Sequence, residues 1–151
     1  MSDRDYIVDA LEKLIEVCRD GQNGYREAAG HVKDPELRKF LEEVSLERAK
    51  FAGDLESEAV RLGKHDVDHS GSVQGAIRRS WIDLKGNLGG RDDEILSSIE
   101  SGDASAKSTY DKYVSDNKLP DDILGIIRNQ AQALEGALDR IRATRHQRKV
   151  A

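Results

Sequence analysis

The chain has 151 residues, of which 37% are hydrophobic, 35% charged and only 5% aromatic, and its formal net charge is −5. This length suits a single domain over residues 1–151, and the composition is typical of amphipathic helices with charged outer faces. The negative charge argues against nucleic acid and against an anionic membrane surface as partners, and no apolar run approaches the ~20 residues that span a bilayer.

Five helices are predicted along the chain from the spacing of its apolar residues. In each long helix these residues recur every three or four positions and form one stripe. Asp34 before Pro35 predicts the cap and first turn of the second helix, Gly63 predicts its end, and Asp92 is predicted to cap the fourth. The expected bounds are about 4–31, 35–62, 73–87, 93–116 and 120–147.

The connections between the helices predict the topology. Short turns join the first helix to the second and the fourth to the fifth, so each pair is expected to be antiparallel. The connection over about residues 64–91 is long and contains the third helix, which at ~1.5 Å per residue carries the chain back along most of a bundle. One long crossover is typical of ferritin-like bundles. The sequence therefore predicts an all-α, ferritin-like four-helix bundle with a short helix in the crossover.

The crossover helix carries an apolar side of its own, made by Val73, Ile77, Trp81 and Leu84. An apolar side of this size needs a partner, so we expect this helix to pack along the outside of the bundle, with Trp81 holding it in place. If Trp81 is exposed instead, it indicates a surface for a protein partner.

Several segments resemble a bacterial family catalogued as domain of unknown function 2383. They are LIEVCRDGQNGYREAA, VKDPELRKFL, GSVQGAIRRSWIDLKG, GGRDDEIL and LDRIRATR. The resemblance covers nearly the whole chain, from about Ile7 to Arg145. Because the family is described as a ferritin-like four-helix bundle, the resemblance implies the same fold. It implies no activity.

The middle of the second helix argues against a metal site. In dinuclear carboxylate bundles a Glu-x-x-His step binds metal, but here Glu47 is followed three residues later by Lys50. At about 100° per residue, Glu47 lies about 80° from the centre of the apolar stripe and Lys50 about 140°. The inward position at this level is that of Arg48, at about 20°, and a cation there would repel metal ions.

The acidic residues of the other helices give the same result. A dinuclear site needs about four inward acids and usually two histidines. The weak candidates are Glu47, Asp103 and Glu135, of which only Asp103 leans inward, and the four histidines lie near helix ends or in a loop. We therefore expect no cofactor. The alternative is a ferritin-like iron or manganese carboxylate protein with oxidase or metal-storage activity.

Arg48 instead predicts a polar layer in the middle of the bundle. A buried cation is costly unless it is paired and hydrogen-bonded. Folding the two hairpins brings Asp103 to the depth of Arg48, and Gln130 offers an acceptor. Gly21 and Gly102 are interpreted as space left for the long side chain. The alternative is that Arg48 extends its guanidinium to the edge of the bundle.

The loop DVDHSGSV resembles the start of a calcium-binding loop. Asp66, Asp68 and Ser70 occupy its first, third and fifth positions, but the twelfth is Ile77, where calcium needs a bidentate glutamate. We favour a polar loop in which Ser70 or Ser72 caps the next helix.

Four other features have ordinary interpretations. His65 and His69 could hold a surface metal, but loop histidines are usually solvated. GNLGGRDD lacks the Lys-Ser/Thr of a phosphate-binding P-loop and is interpreted as a turn. The basic run RIRATRHQRK complements a helix macrodipole. Cys18, the only cysteine, lies in an apolar stripe as a small hydrophobe, and the absence of a disulfide partner fits a cytoplasmic location.

The inward-facing residues offer no nucleophile with a neighbouring base, so the chain is not expected to be an enzyme. The predicted role is that of a non-catalytic interaction protein or a stress-associated structural protein. Its expected partner is a second copy, giving a homodimer, or another protein, with neither nucleic acid nor membrane involved.

Overall fold

A computed structural model describes residues 3–68, 70–87 and 91–150 of the chain, apart from the side chains of residues 85–87 and 149–150. These residues form five helices and no strand: α1 Asp3–Ala29, α2 Pro35–Arg61, α3 Val73–Asn87, α4 Asp92–Val114 and α5 Asp121–Val150. The predicted all-helical class is confirmed, and the largest difference is that α5 ends at Val150 rather than near residue 147. No helix in these ranges is long and apolar enough to cross a membrane.

The signals that start and end α2 act as predicted. Asp34 is the N-cap, and its carboxylate accepts hydrogen bonds from backbone N–H groups of the first turn, including that of Leu37, while Pro35 begins the helix. At the other end Gly63 has a φ of +97°, a left-handed conformation that glycine adopts without steric cost. These two ends fix the depth of Arg48 in the bundle.

The helices pack as two pairs, α1 with α2 and α4 with α5, and α1 also lies against α4. Their apolar side chains form two clusters. One includes Leu11, Leu55, Tyr110 and Ile127, and the other includes Leu41, Ile82, Ile95 and Ile141. On α2, Arg48 lies between Val44 of the second cluster and Ala52 of the first. The bundle is therefore apolar towards both ends and polar in the middle.

The crossover helix α3 packs against α1 and α4, but through the side opposite to the predicted one. Gly75 and Ile82 are buried, whereas Val73 is 79% exposed and Trp81 is 56% exposed. The two sides lie about 150° apart at 100° per residue. The prediction that the apolar side docks on the bundle is therefore wrong.

A close approach at the start of α3 explains this orientation. A Cβ at Gly75 would lie 2.2 Å from Oδ1 of Asp20 on α1. That carboxylate accepts hydrogen bonds from the backbone N–H of Ser72, at 2.8 Å, and from its hydroxyl. The Ser72 hydroxyl accepts in turn from the N–H of Gly75, at 2.9 Å, so Ser72 caps α3 as predicted. Anchoring to Asp20 turns the glycine side inward and leaves the apolar side outward.

Asp92 is the first residue of α4 and not its cap, which is Arg91. Its buried carboxylate accepts hydrogen bonds from the backbone N–H of Lys33, at 3.1 Å, and of Asp34, at 3.4 Å, and pairs with Arg148 at 3.2 Å. The predicted cap is wrong because the turn between α1 and α2 presents N–H groups that lack a helical acceptor. Asp92 thereby ties this turn to α4 and α5.

Candidate functional site

A buried ion pair lies in the middle of the bundle. Arg48 on α2 is 0% exposed and Asp103 on α4 is 2% exposed. The guanidinium donates two hydrogen bonds to the carboxylate, from Nη1 to Oδ1 at 2.8 Å and from Nη2 to Oδ2 at 2.9 Å. Two parallel bonds match the planar fork of arginine to a carboxylate. The charge of Arg48 is thus balanced inside the bundle and is not carried to its edge.

Tyr25 on α1 completes what we name the central polar cluster, which consists of Arg48, Asp103 and Tyr25. The tyrosine hydroxyl donates a hydrogen bond to Oδ2 of Asp103. Its ring centroid lies 5.1 Å from the guanidinium carbon of Arg48, within the range of a cation–π contact. Tyr25 follows the apolar spacing of α1, seven residues after Cys18, and no polar role was predicted for it from the sequence. The available signal was that a buried tyrosine hydroxyl usually needs a partner.

Gly21 on α1 provides the space for the guanidinium. A Cβ at this position would lie 2.7 Å from Nη1 of Arg48, which is shorter than real Cβ atoms allow. Gly102 was predicted to serve the same purpose, but it faces Arg78 of α3, whose Nη1 would lie 3.3 Å from an added Cβ. That prediction is wrong because α3 covers this side of α4.

The electrostatics of the central polar cluster favour an ion pair beside a neutral phenol. Burial alone would lower the pKa of Arg48, but the negative charge of Asp103 and its hydrogen bonds outweigh burial and hold that pKa above its ordinary value. Burial, followed by the charge of Asp103, raises the pKa of Tyr25 well above its ordinary value. Neither group changes its charge near neutral pH, so neither is suited to proton transfer there.

The structure places Gln130 in a second polar group rather than beside Arg48. Its amide oxygen accepts a hydrogen bond from the hydroxyl of Tyr110 at 2.7 Å, and its amide nitrogen donates to the carbonyl of Phe51 at 3.3 Å. The sulfur of Cys18 lies 3.0 Å from the same hydroxyl. Because the hydroxyl proton is already donated to Gln130, the thiol is the donor in this contact. The predicted layer is therefore divided between two separate hydrogen-bonded groups.

The thiol of Cys18 is held in its neutral form. Burial raises its pKa to about 11. Thiolate is the nucleophilic form of cysteine, so the side chain is a packed hydrogen-bond donor at neutral pH. This agrees with the small hydrophobe expected from its place in the apolar stripe.

The three acids weighed as metal ligands do not come together. Glu47 on α2 and Glu135 on α5 are exposed. Asp103 is buried, but both of its oxygens accept hydrogen bonds from Arg48. A metal ion at this carboxylate would have to displace a paired cation, so these acids do not form a dinuclear site as they stand.

One group of three potential metal ligands occurs in the part of the chain that the structure describes. It joins the end of α1 to α3 and consists of Glu27, His31 and Asp83, whose ligand atoms lie within 4.8 Å of one another. Nε2 of His31 lies 2.9 Å from Oδ1 of Asp83 and 3.6 Å from Oε1 of Glu27. Ordinary pairing explains this geometry. Sequence reasoning missed the group, since its only local signal was the i,i+4 spacing of Glu27 and His31.

The calcium-like residues make local contacts in an exposed loop. Asp66 pairs with Lys64 at 3.2 Å. Oδ1 of Asp68 accepts hydrogen bonds from the backbone N–H and the hydroxyl of Ser70, at 2.8 and 2.6 Å. This is the pattern of an Asx-turn, which supports the interpretation as a polar loop.

Two of the remaining predictions fall partly outside the described residues. His69 lies outside the described residues, so the surface metal pair with His65 stays a prediction. Residues 88–90 of the glycine turn also lie outside them, so the interpretation of this segment as a turn and not a phosphate-binding loop stays a prediction.

The basic C-terminal run pairs with acids at the start of α4. Arg145 contacts Glu100 at 2.9 Å and Asp93 at 3.4 Å, and Arg148 contacts Asp92 at 3.2 Å. These arginines therefore hold α5 against α4. This adds a packing role to the macrodipole interpretation of the run.

The central polar cluster, Cys18 and Tyr110 all lie on α1, α2 and α4. A family model described as "Domain of unknown function (DUF2383)" matches residues 6–116, which contain α2, α4 and all but the first three residues of α1. The chain belongs to this family. Helix α5 lies beyond the matched residues, and with it Gln130. Comparison with curated proteins gives no match. The family assignment expected from the sequence is confirmed over these residues, although the expected resemblance extended to about Arg145, and it brings no activity with it.

Proposed function

We propose that this member of the family is a non-catalytic, cytoplasmic bundle of ferritin-like topology that associates with a second copy of itself through α3. The observation that carries this proposal is the apolar side of α3. Val73 is 79% exposed, Ile77 and Trp81 are each 56% exposed, and Leu84 is 48% exposed. A contiguous row of large apolar side chains is typical of an interaction surface. We name these four residues the α3 surface.

The spacing of the α3 surface suits a two-fold interface. Its residues follow one another at steps of four, four and three, so the row reads nearly alike in both directions. If α3 of the second copy runs antiparallel, Val73 faces Leu84 and Ile77 faces Trp81, and symmetry repeats both contacts. A two-fold dimer requires this kind of self-complementary surface.

The size of the α3 surface predicts a weak dimer. The exposed parts of its four side chains amount to about 400 Å², comparable to the largest apolar patch of a typical monomer. Two such patches bury about 800 Å² before flanking polar residues are counted, below the usual range of specific interfaces. We therefore expect a dissociation constant of about 10–100 µM.

The interior supports a structural rather than a catalytic role. Arg48 and Asp103 hydrogen-bond to each other. The alternative, a ferritin-like iron or manganese site, needs several acids that face the interior, whereas Glu47 and Glu135 are exposed. The long connection between α2 and α4 supports the ferritin-like topology. A single cysteine supports a cytoplasmic location, and the net charge of −5 favours a protein partner over nucleic acid or membrane.

Sedimentation equilibrium tests the dimer over a range of about 1–500 µM, which brackets the expected dissociation constant. The wild-type chain should shift from monomer to dimer, and Trp81→Glu should remain monomeric because it places a charge in the middle of the α3 surface. Leu46→Glu is the matched control, since Leu46 on α2 is 72% exposed and lies outside that surface. A wild-type chain that stays monomeric throughout, or a loss of dimer in both variants, would overturn the proposal.

A further inference from the structure

A cavity of about 80 Å³ lies where α3 crosses α1 and α4. One water needs about 10–15 Å³ of such volume, and a cavity of about 150 Å³ holds benzene. The cavity is thus large enough for several waters or for one small chemical group. It lies on the inner side of α3, opposite the α3 surface.

Two arginines of α3, Arg78 and Arg79, line this cavity. Within the described ranges, the guanidinium groups of Arg78 and Arg79 donate no hydrogen bond and form no ion pair. Nη1 of Arg79 is buried. A buried donor without an acceptor costs free energy, and the cost is greater for a charged group. Nη1 of Arg79 therefore favours an acceptor from outside the chain, and Arg78 lines the same cavity with further donors.

The two carboxylates in the wall of the cavity are already used elsewhere. Asp20 accepts hydrogen bonds from the backbone N–H and the hydroxyl of Ser72. Asp103 accepts from Arg48 and from Tyr25. Among the charged groups of the wall, the carboxylates therefore have partners and the two α3 guanidinium groups do not, within the described residues, which favours an anion over a cation.

Small and hydroxyl-bearing residues of α4 complete the wall. Gly102 lies beside Arg78, and a Cβ there would approach Nη1 of Arg78 to 3.3 Å. Ser98 also lines the cavity and offers a hydroxyl one turn before Gly102. Gly102 thus leaves room for the guanidinium of Arg78, and the hydroxyl of Ser98 adds a further donor to the wall.

We propose that this cavity binds a small oxyanion, a phosphate or carboxylate group, through Arg78 and Arg79. A guanidinium donates paired hydrogen bonds to the oxygens of either group, and the cavity volume admits one such group. The group is a free ion or the charged end of a larger molecule that extends outside the cavity. This proposal does not depend on self-association, because Gly75 and Arg79 line the cavity on the side of α3 away from the α3 surface, while Arg78 borders both.

Isothermal titration calorimetry of the full chain in chloride buffer, with inorganic phosphate, acetate and adenosine monophosphate as probes, tests the site. Phosphate or acetate should bind with a dissociation constant of about 1 mM or lower, and Arg79→Gln should weaken binding at least about tenfold. Arg91→Gln is the matched control, since Arg91 is exposed and the change in net charge is the same. If adenosine monophosphate binds more tightly than phosphate, the ligand is the charged end of a larger molecule. If the two bind with equal affinity, the ligand is a free ion.

Three results would overturn the proposal. The first is no binding of any probe up to about 20 mM, and the second is an equal loss in Arg79→Gln and Arg91→Gln, which would indicate attraction by net charge alone. If Arg79→Gln unfolds, Gly102→Ala replaces it, because its methyl group crowds Nη1 of Arg78. It should weaken binding about fivefold, and wild-type affinity in this variant is the third result.

Discussion

Replacing Asp103 with alanine is expected to lower the free energy of unfolding by about 3–5 kcal/mol. The change leaves the guanidinium of Arg48, which is 0% exposed, without its hydrogen bonds at 2.8 and 2.9 Å. It also removes the acceptor of the Tyr25 hydroxyl. The guanidinium charge is then left inside the bundle without a charged partner. Because a domain of this kind has a total stability of about 5–15 kcal/mol, the loss should be large in any unfolding experiment.

Urea unfolding followed by far-UV circular dichroism measures this loss against a matched control. Asp54 on α2 pairs with Lys50 at 3.1 Å, but the two side chains are 48% and 73% exposed. Asp54→Ala should therefore cost less than about 0.5 kcal/mol. If Asp103→Ala costs less than about 1 kcal/mol, as exposed pairs do, the reasoning about a buried, mutually dependent pair is refuted.

A rescue experiment separates lost charge pairing from lost packing. Replacing a buried ion pair by apolar residues of similar volume is often neutral or stabilising, so Arg48→Met combined with Asp103→Leu should recover much of the loss. Tyr25→Phe is added to the same variant, because the tyrosine hydroxyl would otherwise be buried without an acceptor. The triple variant is expected within about 2 kcal/mol of wild type. If it is as unstable as Asp103→Ala, packing rather than charge causes the cost.

The remaining predictions concern a glycine, a thiol and metal content. Gly21→Ala should destabilise the protein by about 1–3 kcal/mol because its Cβ would displace Nη1 of Arg48. Gly53→Ala, whose added Cβ would meet nothing within 4 Å, should stabilise it by about 0.5–1 kcal/mol in the same urea assay. Equal changes in the free energy of unfolding of the two variants would contradict this. Above pH 9.0 the thiol of Cys18 ionises in the unfolded chain, while its pKa in the folded chain is about 11. The stability contributed by this group is thus complete below pH 9 and should fall by up to about 2 kcal/mol towards pH 11. If a Cys18→Ser variant shows the same loss of stability over this pH range, Cys18 is not the cause. Protein purified without chelator should contain less than about one tenth of an iron, manganese or zinc per chain by elemental analysis. Near-stoichiometric metal that survives both dialysis and His31→Ala would place a metal in the interior.

The helices were predictable because their signals are local. Apolar periodicity marks a helix, and Asp34, Pro35 and Gly63 mark the ends of α2 through contacts within a few residues of themselves. The position of Arg48 followed from the same periodicity. The common depth of Arg48 and Asp103 followed from counting residues back from the two short turns. In antiparallel helix pairs, a short turn fixes which residues lie at the same level.

Contacts that depend on the third dimension were not predictable in this way. Tyr25 occupies an apolar stripe whether or not its hydroxyl has a partner, so periodicity alone does not reveal its bond to Asp103. Gln130 was predicted to accept from Arg48, but its amide oxygen accepts from the hydroxyl of Tyr110 instead. Asp92 has the residue type of a cap, yet the turn between α1 and α2 supplies its donors.

The orientation of α3 shows where an apolar pattern leads to the wrong face. The pattern predicts which side of the helix is apolar, but not which side fits the surface that it meets. Asp20 and Ser72 anchor the start of α3, and Gly75 permits an approach that any side chain at this position would block. Had the apolar side docked, Gly75 and Arg79 would lie on the outer side of α3, away from the cavity that they now line. The exposed apolar surface and the internal site with unpaired donors therefore follow from the same packing at Gly75, although each proposal can fail without the other.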